Sequence, residues 1–137
     1  MIDLFDLYFY EDCPYQDESA ELLKLEGRGK MRIFTREYGI CACAGDLAEY
    51  YERKGLKVQN FFRDGETFKP GDTILEAEGD LKFLFKFWRV SQTFLSIMCA
   101  IATKTASFMG AGRKTNSDLI IATSRKTHPG SRIFELK

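Results

Sequence analysis

The sequence predicts an α+β fold: a small open sheet layered with helices, followed by one long helical segment and a final apolar run. Three observations carry that expectation. Residues 30–37, 57–63 and 72–78 have strand character and are separated by turn signals. Residues 81–110 keep apolar side chains at a 3.6-residue period with no proline to interrupt them. A chain of 137 residues, 45% hydrophobic and 29% charged, is long enough to bury one core and too short for two ordinary domains.

Taken in order, residues 4–10 place Leu4, Leu7 and Tyr8 at helical spacing, which predicts a short acidic helix stopped by Pro14. In KMRIFTRE, Met31, Ile33 and Thr35 alternate with Arg32, Phe34 and Arg36, the period of a strand. Tyr38-Gly39 predicts a turn into a second strand, ICACA. Leu47, Tyr50 and Tyr51 set a helix over residues 46–54, with Gly55 as its stop. Two further strands flank the turn-rich RDGETFKPGD. Along 81–110 the apolar face comprises Leu84, Phe87 or Trp88, Ser91, Phe94 or Leu95, Met98, Ile101 or Ala102, Thr105 and Met109, in one helix or two nearly collinear ones. The run Leu119-Ile120-Ile121-Ala122-Thr123, bounded by polar segments, has the pattern of a buried strand that delivers a loop to a site. There is no internal repeat and no Ser/Gly-rich linker.

Twenty basic and twenty acidic side chains cancel, so overall charge gives no reason to expect a nucleic-acid or membrane-surface partner. Charge is nevertheless polarised. Residues 1–26 carry Asp3, Asp6, Glu11, Asp12, Asp17, Glu18, Glu21 and Glu26 against Lys24, whereas Arg113, Lys114, Arg125, Lys126, Arg132 and Lys137 gather at the other end. Any anion site is therefore expected near the C-terminal end. Cys13, Cys41, Cys43 and Cys99 form no CxxC pair or metal-ligand spacing, and His128 is the only histidine. The cysteines are expected to be reduced thiols. No basic leader and no long uncharged apolar run is apparent, so the expected location is the cytoplasm.

The candidate chemistry lies in SRKTHPGSR. Ser124, Arg125, Lys126 and Thr127 set a hydroxyl, a planar guanidinium and an ammonium side by side, suited to carboxylate or phosphate. Pro129-Gly130 adds a turn that would hold the loop in shape. On these residues alone, a solvated basic surface turn is the competing reading.

SRKTHPGSRIFELK resembles the T-R-K-T-x-P-G-L-R segment of the quinolinate phosphoribosyltransferase family. FWRVSQTFLSIMCAIATKT is similar to that family's helix motif E-R-x-x-L-N-x-x-x-x-x-S-G-I-A-T-x-T. RDGETFKPGDTILEAEGD resembles D-G-x-x-V-x-x-G-D-x-I-x-x-x-x-G, and EDCPYQDES stands where E-D-x-x-x-G-D-x-T does. Pro14-Tyr15 and the Trp88–Gln92 pattern look like the family's ModD branch. The departures are Gln16, Glu18, Thr93, Cys99-Ala100 and Ser131, which mostly keep small or apolar size.

The resemblance implies an activity: a nitrogen nucleophile on a heteroaromatic acid attacks C1 of 5-phosphoribosyl-1-pyrophosphate, pyrophosphate leaves, and Mg²⁺ accompanies the pyrophosphate. It implies that Arg125 and Lys126 hold substrate carboxylates, that Ser124 offers a donor, and that Arg89 is donated across a homodimer interface into the partner's site. The partners it implies are small anionic molecules. His128, with no carboxylate in view to orient it, is expected to be a loop residue, and Arg132 an anchor for the turn. Residues 1–112 would be the N-terminal α+β domain and 113–137 the start of a truncated α/β barrel, because a whole barrel needs about 250 residues. The alternative is a non-catalytic dimerisation or structural module of the same descent. A biotinyl or lipoyl carrier is disfavoured because no hairpin presents a lysine for modification.

Overall fold

A computed structural model of the chain describes residues 3–137. Helix α1 (Leu4–Asp12) begins where the Asp3 carboxylate accepts from the Phe5 amide at 3.0 Å, and it ends just before Pro14. A second helix, α2 (Glu18–Leu22), is capped in the same way by Asp17 on the Ala20 amide at 2.8 Å. Strand β1 (Arg28–Phe34) buries part of Met31 and Ile33 while Arg32 and Phe34 face solvent, as its alternation predicts. It pairs antiparallel with β5 (Thr73–Asp80), which pairs on its other edge with β3 (Lys57–Phe61), giving the order β1-β5-β3. The central strand is the most buried, with Leu75 and Ala77 at 0% exposure.

Two expectations about strands are corrected by the backbone. ICACA shrinks to β2 (Gly39–Ile40), which pairs with β4 (Thr67–Phe68) inside the segment expected to be turns only. The reason is at Cys43, where the chain enters the left-handed region at φ 62° and the amide donates to the Asp64 carboxylate at 2.7 Å. Helix α3 (Ala44–Arg53) starts on the next residue, so the extended run cannot continue. Gly39 has to be glycine because a Cβ there would collide with the Phe68 ring and meet the Thr103 hydroxyl.

The segment over 81–110 is one unbroken helix, α4 (Leu81–Arg113), started by the Asp80 carboxylate on the Phe83 amide at 3.0 Å. It buries Leu84, Phe87, Ser91, Phe94, Leu95, Met98 and Cys99, so Phe87 rather than Trp88 faces the core, and Phe94 and Leu95 both do. Phe5, Phe9, Tyr50, Tyr51, Phe83, Phe94 and Phe134 join Phe87 in a continuous aromatic cluster, with Phe87 and Phe9 ring centroids 4.2 Å apart. Ser91 sits on this apolar face because its hydroxyl pairs with the buried Tyr51 hydroxyl. By length and composition α4 could cross a membrane, with a mean hydropathy of 1.4 over its most apolar window, although Arg89 and Lys104 bound its uncharged run. One side of the helix supplies the core, while apolar residues such as Ile97 and Phe108 stay exposed on other sides.

Asp6 shows how the acidic N-terminal helix is held. Its carboxylate accepts from the Tyr50 hydroxyl at 2.7 Å and pairs with the Lys54 ammonium at 2.6 Å. Lys54 first, and Tyr50 next, hold the Asp6 carboxyl below its ordinary value, against a small opposing effect of burial. A carboxyl depressed on folding contributes stability above its unfolded pKa and loses it as pH falls through the folded value. Asp6→Asn is therefore expected to lower the melting temperature at pH 7 and to flatten the acid limb below about pH 4. Melting curves across that range check it; wild-type and variant curves that stay parallel into acid would contradict it. The pair is half exposed, so the shift should be modest.

The apolar run over 119–123 forms no strand, which corrects the expectation of a buried one. Ile120 is 85% exposed and Ile121 40%. A strand buried on both faces needs neighbours to satisfy its backbone, and no sheet among the described residues reaches it. The chain instead folds back along the body. Leu119 covers Gly112, the Tyr8 hydroxyl donates to the Gly130 carbonyl at 2.8 Å, and Phe134 of the short helix α5 (Arg132–Glu135) packs edge-on against Phe94 at 5.0 Å. Lys137 closes the return with ion pairs to Asp46 at 2.7 Å and Asp64 at 3.4 Å.

Candidate functional site

The returning segment, α1 and α4 enclose an open groove of about 600 Å³. Val90, Thr93, Phe94, Ile97 and Met98 from α4 make one wall, Tyr8, Glu11 and Asp12 from α1 the facing one, and His128, Ser131 and Glu135 one end. Arg89 lines the same groove, with its guanidinium 5.3 Å from the centroid of the Trp88 ring. A guanidinium offers planar N–H donors suited to a carboxylate or phosphate. An apolar wall with a few polar groups at its rim suits a small, flat, charged molecule.

Of the four residues expected to bind substrate, only Arg89 lines this groove. Ser124, Arg125 and Lys126 are exposed on the loop beyond it. The loop is nonetheless shaped. Arg125 adopts a left-handed φ of 62°, with its amide donating to the Thr123 hydroxyl at 3.1 Å. The Arg132 guanidinium donates to the Thr127 hydroxyl at 3.2 Å and reaches the Arg125 carbonyl at 3.5 Å, so Arg132 is the anchor of the turn that the sequence suggests.

His128 does have a carboxylate, which corrects the expectation that none orients it. Its Nδ1 lies 3.3 Å from Glu135 Oε1, and the same oxygen accepts from the His128 amide at 3.3 Å and from the Ser131 hydroxyl. Ser131 first, then the His128 amide and ring, hold the Glu135 carboxyl below its ordinary value, against desolvation. Burial, with Glu135 nearby, raises Tyr8 in turn. Glu135 and Tyr8 are thus the site residues that sequence reasoning passed over. The four-residue step from Ser131 to Glu135 was the available signal, and it becomes informative only once α5 is known to form. Among the described residues, no group of three or more His, Cys, Asp or Glu side chains could hold a metal.

The described residues thus combine a three-stranded antiparallel sheet, a long helix packed against it and a basic loop returning beside it. Residues 17–99 match the family model for the quinolinate phosphoribosyl transferase N-terminal domain, and the chain belongs to that family. It is 32% identical over 103 residues to a probable carboxylating nicotinate-nucleotide pyrophosphorylase of Archaeoglobus fulgidus, a match covering 75% of this chain and 40% of that protein. It is 24% identical over 128 residues to the putative pyrophosphorylase ModD of Rhodobacter capsulatus, covering 93% and 49% respectively. The crystal structure of NadC from Streptococcus pyogenes superposes with a TM-score of 0.81 at 26% identity, over 94% of this chain and 47% of that one. The chain thus spans about half the length of the curated relatives it matches.

Proposed function

We propose that this chain is the N-terminal, acceptor-gathering part of a pyrophosphorylase that transfers phosphoribosyl from 5-phosphoribosyl-1-pyrophosphate to a heteroaromatic acid. The observation that carries the proposal is family membership together with Arg89 at the rim of an open groove. In this reading Arg125 takes a substrate carboxylate bidentately, Lys126 adds a point charge, and Ser124 donates a hydrogen bond. Arg89 serves the site of a second copy in a homodimer, and that is why its guanidinium faces outward. The chemical demand is the neutralisation of a carboxylate and a polyphosphate held side by side while positive charge develops at the ribose carbon. Mg²⁺ bound to the pyrophosphate supplies part of that neutralisation when present. Four free thiols favour operation in the cytoplasm.

One observation favours a second reading, a dimerisation or structural module: Ser124, Arg125 and Lys126 lie outside the groove that Arg89 lines. Calorimetric titration separates the two. The purified chain is titrated with 5-phosphoribosyl-1-pyrophosphate and Mg²⁺, then with quinolinate, and turnover is assayed on the same sample. Acid binding with or without turnover is the expected result, and heat-silent titrations with no turnover leave the module.

A further inference from the structure

The far end of the groove is attached to the body of the domain by a short set of contacts. His128, Ser131 and Glu135 supply that end, and all three belong to the segment that returns after α4. Residues 114–131 form no helix or strand, so the chain leading back from α4 does not itself hold the end in place. A four-residue helix such as α5 is too short to persist in water without tertiary contacts. The contacts it has are specific. The Tyr8 hydroxyl donates to the Gly130 carbonyl at 2.8 Å, and the Phe134 ring lies 5.2 Å from Phe5 and 5.0 Å from Phe94. The Lys137 ammonium pairs with Asp46 at 2.7 Å and Asp64 at 3.4 Å.

These contacts sit at the edge of the core. Every buried residue of the core cluster precedes residue 100, and Phe134 packs against the cluster without belonging to it. The Lys137 side chain is half exposed, so its ion pairs are weak and screened by salt. One buried thiol lies under α5: Cys43, 1% exposed, is 3.8 Å from the Phe134 carbonyl. Cys41 and Cys99 face the Phe62 and Ala42 carbonyls instead. Asp64 links this thiol to the ion pair, since it accepts from the Cys43 amide at 2.7 Å while it pairs with Lys137.

We propose that residues 128–137 dock and undock as one strap, latched by Lys137, and that the far end of the groove exists only while the strap is docked. Undocking breaks the Tyr8–Gly130 hydrogen bond, withdraws Phe134 and uncovers Cys43, while the sheet, α1, α3 and α4 stay folded. The basic loop moves with the strap, because Arg132 holds both Thr127 and the Arg125 carbonyl. A ligand that touches α4 and the strap together binds the docked state alone and shifts the equilibrium toward it. The opening itself is independent of what the groove takes.

Cys43 is the reporter for the test. The native chain is treated with iodoacetamide, an uncharged reagent, and the label on each cysteine is followed in time by mass spectrometry of tryptic peptides. Fragment ions separate Cys41 from Cys43, which share the peptide 37–53. Each rate is divided by that of the same cysteine in the unfolded chain. The expected order is Cys13, which is partly exposed, then Cys43, with Cys41 and Cys99 far slower because only global unfolding reaches them. Lys137→Ala should speed Cys43 about threefold to tenfold, and Phe134→Ala about tenfold or more. Tyr8→Phe, which touches the other end of the strap, should speed Cys43 about twofold to tenfold. Added salt should speed Cys43 in the wild type and do so less in Lys137→Ala. Labelling of Cys43 in step with Cys41 and Cys99 would overturn the strap. An unchanged Cys43 rate in Tyr8→Phe would mean that the groove end and α5 open separately, and an unchanged rate in Lys137→Ala would remove the latch. A variant that fails to fold betrays itself by fast labelling of Cys41 and Cys99, and the wild-type order and salt response then decide.

Discussion

Phe87→Ala is expected to cost about 3–5 kcal/mol, while Trp88→Ala one residue later costs about 1 kcal/mol or less. The Phe87 ring is 3% exposed and touches the Phe9, Phe83, Tyr50 and Tyr51 rings, with the Phe83 centroid 4.4 Å away in an edge-on arrangement. Truncation removes the ring's transfer free energy and leaves a cavity lined by other rings that cannot collapse into it. Trp88 is 38% exposed and its ring carries the Arg89 guanidinium, an arrangement that water can replace. A domain of this size is stable by only about 5–15 kcal/mol, so the first variant should approach the edge of folding at 37 °C. Urea midpoints for the two variants, with unchanged slopes, are the measurement. Equal losses would mean that the helix presents a different face to the sheet.

On the proposed acceptor site, Arg125→Ala is expected to weaken quinolinate binding by about tenfold to a hundredfold, about 1.4–2.8 kcal/mol. Arg125→Lys should recover only part of that loss, because an ammonium keeps the charge but not the two parallel N–H donors. Arg132→Ala should weaken binding to a smaller degree, since Arg132 acts through the loop by holding Thr127 and the Arg125 carbonyl. Titration of the three variants with quinolinate at two salt concentrations reads out both the charge and the geometry. Unchanged acceptor affinity in Arg125→Ala would remove the loop from the site and leave Arg89 without its expected companions.

Much of the fold is legible in local sequence. Asp3, Asp17 and Asp80 stand one residue before their helices and cap them, and the alternation of Met31 and Ile33 sets the inner face of β1. The motif resemblance located the family before any geometry, because four spaced segments in one order are hard to match by chance. The site is less legible. Arg89 and the basic loop can be named from motifs, but that Arg89 borders a groove with Tyr8 and Glu135 follows from how the last residues return across α1 and α4.

The sequence alone therefore determined the α+β class, the order of most of the main strands and helices, the long helical segment over 81–110 and the family. These depend on periodicity, capping and turn chemistry within a few residues, which act whatever the rest of the chain does. Only the tertiary structure decided which of Phe87 and Trp88 is core, why Ser91 sits on an apolar face, and how Glu135 meets His128. It also decided against a strand over residues 119–123. The physical reason is common to all of these. A buried ring, hydroxyl or thiol, or an extended apolar run, is stabilised by whatever partner reaches it, and such partners are in most cases brought close only by the packed fold.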